Sequence, residues 1–141
     1  MNIVQLTDSL GVAAQITPDD VAGIAAAGYK VLINNRPDGE EGTQPSAAAI
    51  GAAAHAAGLE YHHMPVTALS FPGPDFDAMS DLLDDPARPV LAFCRTGTRC
   101  ANLWVAGVDD ATREEAIRVA SQCGFDLGMA AKFIAGLAPP R

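Results

Sequence analysis

The chain has 141 residues, enough for one domain over 1–141 that buries roughly two-thirds of the surface its unfolded form exposes. Hydrophobic residues make up 49% and charged residues 18%, a globular balance with no apolar run approaching the roughly 18 residues of a membrane span, so no membrane partner is expected. Seventeen acidic against nine basic side chains give a net charge of -8, which argues against nucleic acid and means that an anionic ligand needs a local basic site.

The start, Met1 to Asp8, has neither a basic stretch nor a following apolar run of signal-peptide type, which gives a cytoplasmic expectation. Thr17-Pro18-Asp19-Asp20 opens a helix, with Thr17 as N-cap and acids at the positive end of the dipole, and Gly28 closes it. Tyr29 to Asn34 is a buried strand that ends in the polar turn Asn35 to Glu41. A second helix begins near Pro45, carries Ile50, Ala53, Ala54 and Ala57 at helical spacing, and stops at Gly58 before a strand through Leu59, Tyr61, Met64 and Val66.

A loop from Thr67 to Pro74 follows. Phe76, Met79 and Leu83 then mark one face of a short helix with Asp75 near its N-cap, ended by Asp84-Asp85-Pro86. Pro89 to Phe93 has no polar alternation, the pattern of a central parallel strand covered on both faces. Cys100 to Ala106 reads as a helix, Thr112-Arg113-Glu114-Glu115 as a capping box opening another, and Phe125 to Leu137 as a third, with Ala138 to Arg141 expected to fray. Strands alternating with helices predict a single α/β domain: a central, mostly parallel sheet flanked by helices, with ligands bound beyond the carboxyl ends of its strands.

Cys94-Arg95-Thr96-Gly97-Thr98-Arg99 lies at that edge. A buried strand that turns through glycine into a helix aims successive N–H groups at one point, and the helix dipole adds positive potential. A cysteine there, beside Arg95 and Arg99, is expected to ionise near neutral pH and act as a nucleophile. Arg99 offers a planar fork for two oxygens of a tetrahedral anion, Gly97 permits the turn, and Thr96 and Thr98 complete the anion-binding loop. A structural cysteine after a core strand is the plain alternative, but it gains nothing from flanking charge. The odd count of three cysteines argues for reduced thiols rather than a disulfide framework.

Cys94 to Arg99 resembles the active loop of rhodanese-type sulfurtransferases, in which a cysteine carries a persulfide between a donor and an acceptor. Thr17 to Asp20, Val31 to Glu41, Tyr61-His62-His63-Met64-Pro65-Val66 and Leu103-Trp104 are similar to the phosphatase-like domain of beta-lactamase-hydrolase-like proteins. That resemblance spans nearly the whole chain and implies the dual-specificity or tyrosine phosphatase fold, while leaving the reaction less fixed than the fold.

Two features bear on sulfur against phosphorus. Dual-specificity phosphatases have five residues between cysteine and arginine, whereas here there are four, with Cys100 where the longer loop places its arginine. The tighter ring suits a single persulfide sulfur better than a transferring phosphoryl group. Where the resembled phosphatases carry an aspartate acid, this chain has Thr67-Ala68-Leu69-Ser70, with no carboxylate before Asp75. A thiosulfate-like donor releases sulfite and needs no such acid.

The sequence reading therefore favours sulfur transfer from a small anionic donor, through a Cys94 persulfide, to a thiol acceptor. Hydrolysis of phosphate esters through a phosphocysteine is the alternative, and a non-catalytic anion-binding module a third. Arg36 and Asp38, at the end of a second parallel strand, are candidates for the same edge, and Asp38, Glu40 or Glu41 for an acid. Cys100 departs from the hydroxyl residue common to both resembled families and is a candidate resolving thiol, with a helix-capping small residue as the plain reading. No cofactor and no metal site are expected: His62 and His63 point to opposite faces of a strand, and His55 lies on a helix elsewhere. Trp104 is expected in the core and Cys123 buried.

Overall fold

The computed structural model describes residues 1–137; the expected fraying of Ala138 to Arg141 lies outside them. Five strands form one sheet in the order β1-β2-β5-β3-β4, with β1 Ile3–Thr7, β2 Leu10–Ala13, β3 Val31–Asn34, β4 Glu60–His63 and β5 Val90–Phe93. Only β1 runs antiparallel; β2, β5, β3 and β4 are mutually parallel. The carboxyl-terminal residues Ala13, Phe93, Asn34 and His63 are in register, so the segments that follow these strands emerge along one edge.

The hairpin of β1 and β2 has no counterpart among the expected elements. Its four- and five-residue strands are too short to announce themselves, and Gly11 breaks the apolar run. That glycine is required by packing: a Cβ there would stand 2.4 Å from the Tyr29 hydroxyl, which donates to Gln5 Oε1 at 2.7 Å across the hairpin.

The chain continues through a 3-10 turn Pro18–Asp20 into α1 Val21–Ala26, then α2 Ala47–Ala56, α3 Phe76–Leu83, α4 Thr98–Gly107, α5 Asp110–Gln122 and α6 Gly128–Ala135. The Thr17 N–H donates to Asp20 Oδ2 at 2.9 Å, tying down the first turn. Several expected boundaries move: α4 begins at Thr98 rather than Cys100, and the strand expected to run through Val66 ends at His63. α5 begins earlier than the Thr112 capping box, because Asp109 is the N-cap and accepts the Thr112 N–H at 3.1 Å. α6 begins at Gly128 rather than Phe125; the Phe125 N–H is still bonded to Ala120 O, and Asp126 Oδ1 accepts the Gly128 N–H at 2.8 Å.

Alternation along the strands builds a core on each side of the sheet. Leu32, Leu91 and Phe93 pack with Ile16, Val21, Ile24, Ile50 and Ala54, which covers one face with α1 and α2. Val12, Val31, Ile33, Val90 and Ala92 pack with Met79, Leu103, Trp104, Val105, Ala116 and Ala130 of α3 to α6 on the other. All four residues of β5 are buried, as a strand covered on both faces requires. The same alternation sends Cys94 to the side of Val90 and Ala92, beneath the start of α4. Trp104 is in the core as expected.

Candidate active site

Cys94 follows the last residue of β5 and has no exposed surface; its sulfur lies at the floor of the turn into α4. Gly97, at φ 88°, reverses the chain and aims its own N–H at Cys94 Sγ at 3.1 Å. An alanine there would be strained by that φ, with its Cβ 3.4 Å from the Phe125 ring and 3.5 Å from Ala13 O. The Thr98 N–H reaches back to Thr96 Oγ1 at 3.4 Å, and the two hydroxyls are bonded at 2.9 Å, which stiffens the outer side of the turn.

The Cys94 thiol ionises at about 6 instead of 9.0. The Cys100 thiol stabilises the thiolate most; burial opposes ionisation, and the N–H dipoles of Cys100, Thr96 and Arg99 add to the stabilisation. At pH 7 the sulfur is thus mainly thiolate, whereas a free cysteine is mainly thiol. Cys100 bears the complementary cost, since burial and the adjacent thiolate push its own ionisation well up.

Arg99, two residues into α4, does not lie free. Its Nη1 donates to Glu40 Oε2 at 2.9 Å and to Val66 O at 3.1 Å, and its Nη2 donates to Glu40 Oε1 at 2.8 Å. Glu40 also accepts from Arg36 Nε at 2.9 Å, and Arg36 reaches Gln15 Oε1 at 3.0 Å and Glu41 Oε1 at 2.7 Å. Glu41 in turn takes the exposed Arg95 at 3.2 Å. An alternating chain of charges, Arg99, Glu40, Arg36, Glu41 and Arg95, therefore runs along the carboxyl edge of the sheet. Arg36 is almost fully buried with its charge matched by these carboxylates, which is the condition for burying a guanidinium.

The sequence-derived candidates separate by position. Cys94, Arg99, Arg36, Glu40, Arg95 and Cys100 are brought together. Asp38 points away: its Oδ1 accepts the Ala47 N–H at 2.7 Å and caps α2 beside Ser46. Glu40 is present, with its carboxyl held below the usual range by the Arg99 hydrogen bonds and, after them, those of Arg36. Thr67 and Ser70 bond to each other across the loop that carries no carboxylate.

Gln15 and the carbonyl of Val66 also belong to the site, with no mark in the sequence. The first sits two residues beyond β2, where its N–H also binds Arg95 O at 3.3 Å; the second is backbone and has no side-chain signature. Cys123, expected in the core, is exposed at the end of α5. His62 bonds Glu60 and His63 bonds Arg36 O, and among the described residues no three metal-ligating side chains converge.

The fold and the cysteine loop at the strand ends define a protein of the tyrosine and dual-specificity phosphatase class of architecture. A family profile described as "Beta-lactamase hydrolase-like protein, phosphatase-like domain" matches residues 2–111, and the chain belongs to this family. A beta-lactamase hydrolase-like protein of Xylella fastidiosa is 34% identical over 137 residues, covering 95% of this chain and 32% of its own length. The chain thus spans about a third of that relative. The crystal structure of a candidate phosphatase from Neisseria meningitidis is 37% identical with a TM-score of 0.76, covering 95% of this chain and 96% of that one. P. aeruginosa TpbA in complex with phosphotyrosine shares the fold at 18% identity and a TM-score of 0.57, over 96% of this chain and 91% of that one. Among the described residues no helix is long and apolar enough to cross a membrane.

Proposed function

We propose that the chain is a cysteine-dependent phosphatase-like hydrolase that cleaves phosphate esters through a phosphocysteine at Cys94. The observation that carries this reading is the state of Arg99. A guanidinium has five N–H donors; Glu40 and Val66 take both of those on Nη1 and one on Nη2. The Nε–H and the second Nη2 hydrogen, parallel on the other edge of the fork, make no hydrogen bond among the described residues. That edge has the geometry for two oxygens of a tetrahedral anion. Glu40 then acts as the residue that positions Arg99, and the loop N–H groups receive the charge that develops on the phosphoryl oxygens.

The Cys94 thiolate attacks phosphorus, the ester oxygen leaves, and water cleaves the sulfur–phosphorus bond to regenerate the thiolate. With Asp38 capping a helix, Glu40 held ionised and Glu41 paired with Arg36 and Arg95, no carboxyl among the described residues is free at the loop to donate a proton to a poor leaving group. The reading therefore favours esters of acidic alcohols such as phenols, the class to which the phosphotyrosine bound by TpbA belongs. Family membership supports phosphorus over the sulfur transfer that the loop length and the missing acid favour in sequence.

Sulfur transfer stays as a second reading on one observation, the carboxylate-free loop from Thr67 to Ser70, since sulfite leaves without an acid. A side-by-side assay separates them. Turnover of p-nitrophenyl phosphate, lost in Cys94→Ser, is the expected result. Thiocyanate formation from thiosulfate and cyanide without any phosphatase activity would overturn the proposal in favour of sulfur.

A further inference from the structure

Every described arginine is paired with a carboxylate, whereas Lys132 makes no ion pair among the described residues. In a chain of net charge -8 that leaves a cation uncommitted. Lys132 lines a groove of about 320 Å3 with Ala68, Phe71, Met129 and Phe133, and no carboxylate lines it.

Both walls of this groove are rooted beside Arg99. One wall is the loop after β4: Val66 O accepts Arg99 Nη1 at 3.1 Å, and Ala68, two residues on, is within about 7 Å of Val66 along the chain. Thr67 and Ser70 close that turn on itself, the Thr67 N–H donating to Ser70 Oγ at 2.9 Å and the Ser70 N–H to Thr67 Oγ1 at 3.2 Å, so Ala68 is held in place. The other wall is α6. Asn102 of α4 donates to Asp126 O at 2.8 Å and accepts the Ala130 N–H at 2.9 Å, which fixes the start of α6 about one turn further along α4 than Arg99. Met129, Lys132 and Phe133 then share one face of that helix at i, i+3 and i+4. Phe133 meets Phe71 edge to face with ring centroids 6.3 Å apart, pinning the loop to the helix.

We propose that this groove is the leaving-group subsite of the hydrolysis and selects small aryl phosphates whose ring carries a carboxylate, the ring lying against Phe71 and Phe133 and the carboxylate meeting the Lys132 ammonium. The proposal rests on the phosphate-ester reading of Cys94 and adds which esters are taken. The volume suits one ring with its substituent, and the aromatic lining favours an aryl over an alkyl group. A second negative charge on the ester is repelled by the acidic chain as a whole, so only a local cation makes it acceptable. The lysine stem can lie along the apolar wall while its charged head stays at the rim. Lys132 also stands in the last turn of α6, where a cation favours the helix dipole, but that role does not discriminate between esters.

The test compares kcat/KM for p-carboxyphenyl phosphate and its uncharged counterpart p-carbamoylphenyl phosphate in the wild-type chain, Lys132→Met, Lys132→Arg and Lys30→Met. Lys30 precedes β3 and its N–H binds Pro89 O, at the opposite edge of the sheet, so Lys30→Met makes the same change in net charge away from the groove. On the same proteins, calorimetric titration measures the affinities of p-carboxybenzylphosphonate and p-carbamoylbenzylphosphonate, which cannot be hydrolysed at the ester position.

The expected result is a preference for the carboxylate over the amide that falls about two- to fivefold in Lys132→Met, persists in Lys132→Arg and Lys30→Met, and shrinks in roughly 0.5 M salt. The same ratio in wild type and Lys132→Met, or an equal fall in Lys30→Met, overturns the inference. Turnover of neither ester rejects the phosphatase reading, and the phosphonates then decide the groove alone. A carboxylate preference in affinity that is lost only in Lys132→Met upholds the subsite; an unchanged preference, or no binding of either phosphonate, rejects it.

Discussion

Glu40→Gln tests the charge chain at its centre. The carboxylate accepts three hydrogen bonds, two from Arg99 at 2.9 and 2.8 Å and one from Arg36 at 2.9 Å. An amide keeps one oxygen and places an NH2 against a guanidinium N–H, so at least one of the three is lost and replaced by a donor facing a donor. Each charge-assisted bond carries about 1.5–3 kcal/mol when it is buried. Glu40 is about a quarter exposed, with its side chain at 26%, and Arg36 keeps Gln15 and Glu41, so the loss should be at the lower end, about 2 kcal/mol in total. For a domain of this size that lowers Tm by roughly 6–10 °C.

Activity should suffer separately, because an unanchored Arg99 no longer presents its free edge to the anion. We expect kcat/KM for p-nitrophenyl phosphate to fall about 10- to 100-fold. The pH midpoint of Cys94 alkylation should stay at about 6, since the sulfur is stabilised by Cys100 and by loop N–H groups and not by the Glu40 carboxylate. Thermal melts, steady-state kinetics and the pH dependence of iodoacetamide labelling measure the three effects. A variant that melts and turns over like wild type would refute the positioning role; one whose alkylation midpoint moves with the loss of activity would show that the network acts through the thiolate instead.

Cys100→Ala removes the largest stabiliser of the thiolate, so the Cys94 midpoint should rise from about 6 and activity at pH 6 should fall more than activity at pH 8, read from a pH–rate profile. Asp38→Ala should cost about 1 kcal/mol by uncapping α2, visible as a lower denaturation midpoint, while leaving the shape of the pH–rate profile unchanged because the carboxylate is no acid of this site. Asn102 is fully buried, donates to Thr98 O and Asp126 O at 2.8 Å, and accepts from Ala130 N at 2.9 Å. Asn102→Ala should therefore cost about 2–4 kcal/mol by urea unfolding, loosening the α4–α6 contact. Glu40 is held ionised by its arginines, so its share of stability is present above the ordinary carboxylate range and is lost as pH falls through its lowered value; acid unfolding of Glu40→Gln should be correspondingly less steep.

The parts of the fold legible in sequence were those whose local chemistry is loud. Val31 to Asn34 and Val90 to Phe93 are runs with a single reading, and Cys94 to Arg99 concentrates thiol, glycine and charge. The β1–β2 hairpin was illegible because its strands are short and Gly11 is chosen by the Tyr29 hydroxyl, a partner 18 residues away. Glu40 was visible as a candidate acid, yet its role is decided by Arg99, 59 positions on. Its i,i+4 spacing from Arg36 was the one local hint of pairing. Nothing in the sequence around Asn102 marks its amide, and only the packing of α6 against α4 makes it necessary. Cys123 departs from the expectation of burial that its residue type carries, because the end of α5 leaves it in solvent.

Hydrolysis by this route requires that Cys94 take up a phosphoryl group. Mixing the protein with p-nitrophenyl phosphate, quenching in acid within the first turnover and mapping the peptides measures it directly. A phosphoryl adduct on the Cys94 peptide, absent in Cys94→Ser and accompanied by stoichiometric nitrophenol, is the predicted result. Nitrophenol released with no modified Cys94 at any quench time would contradict the account.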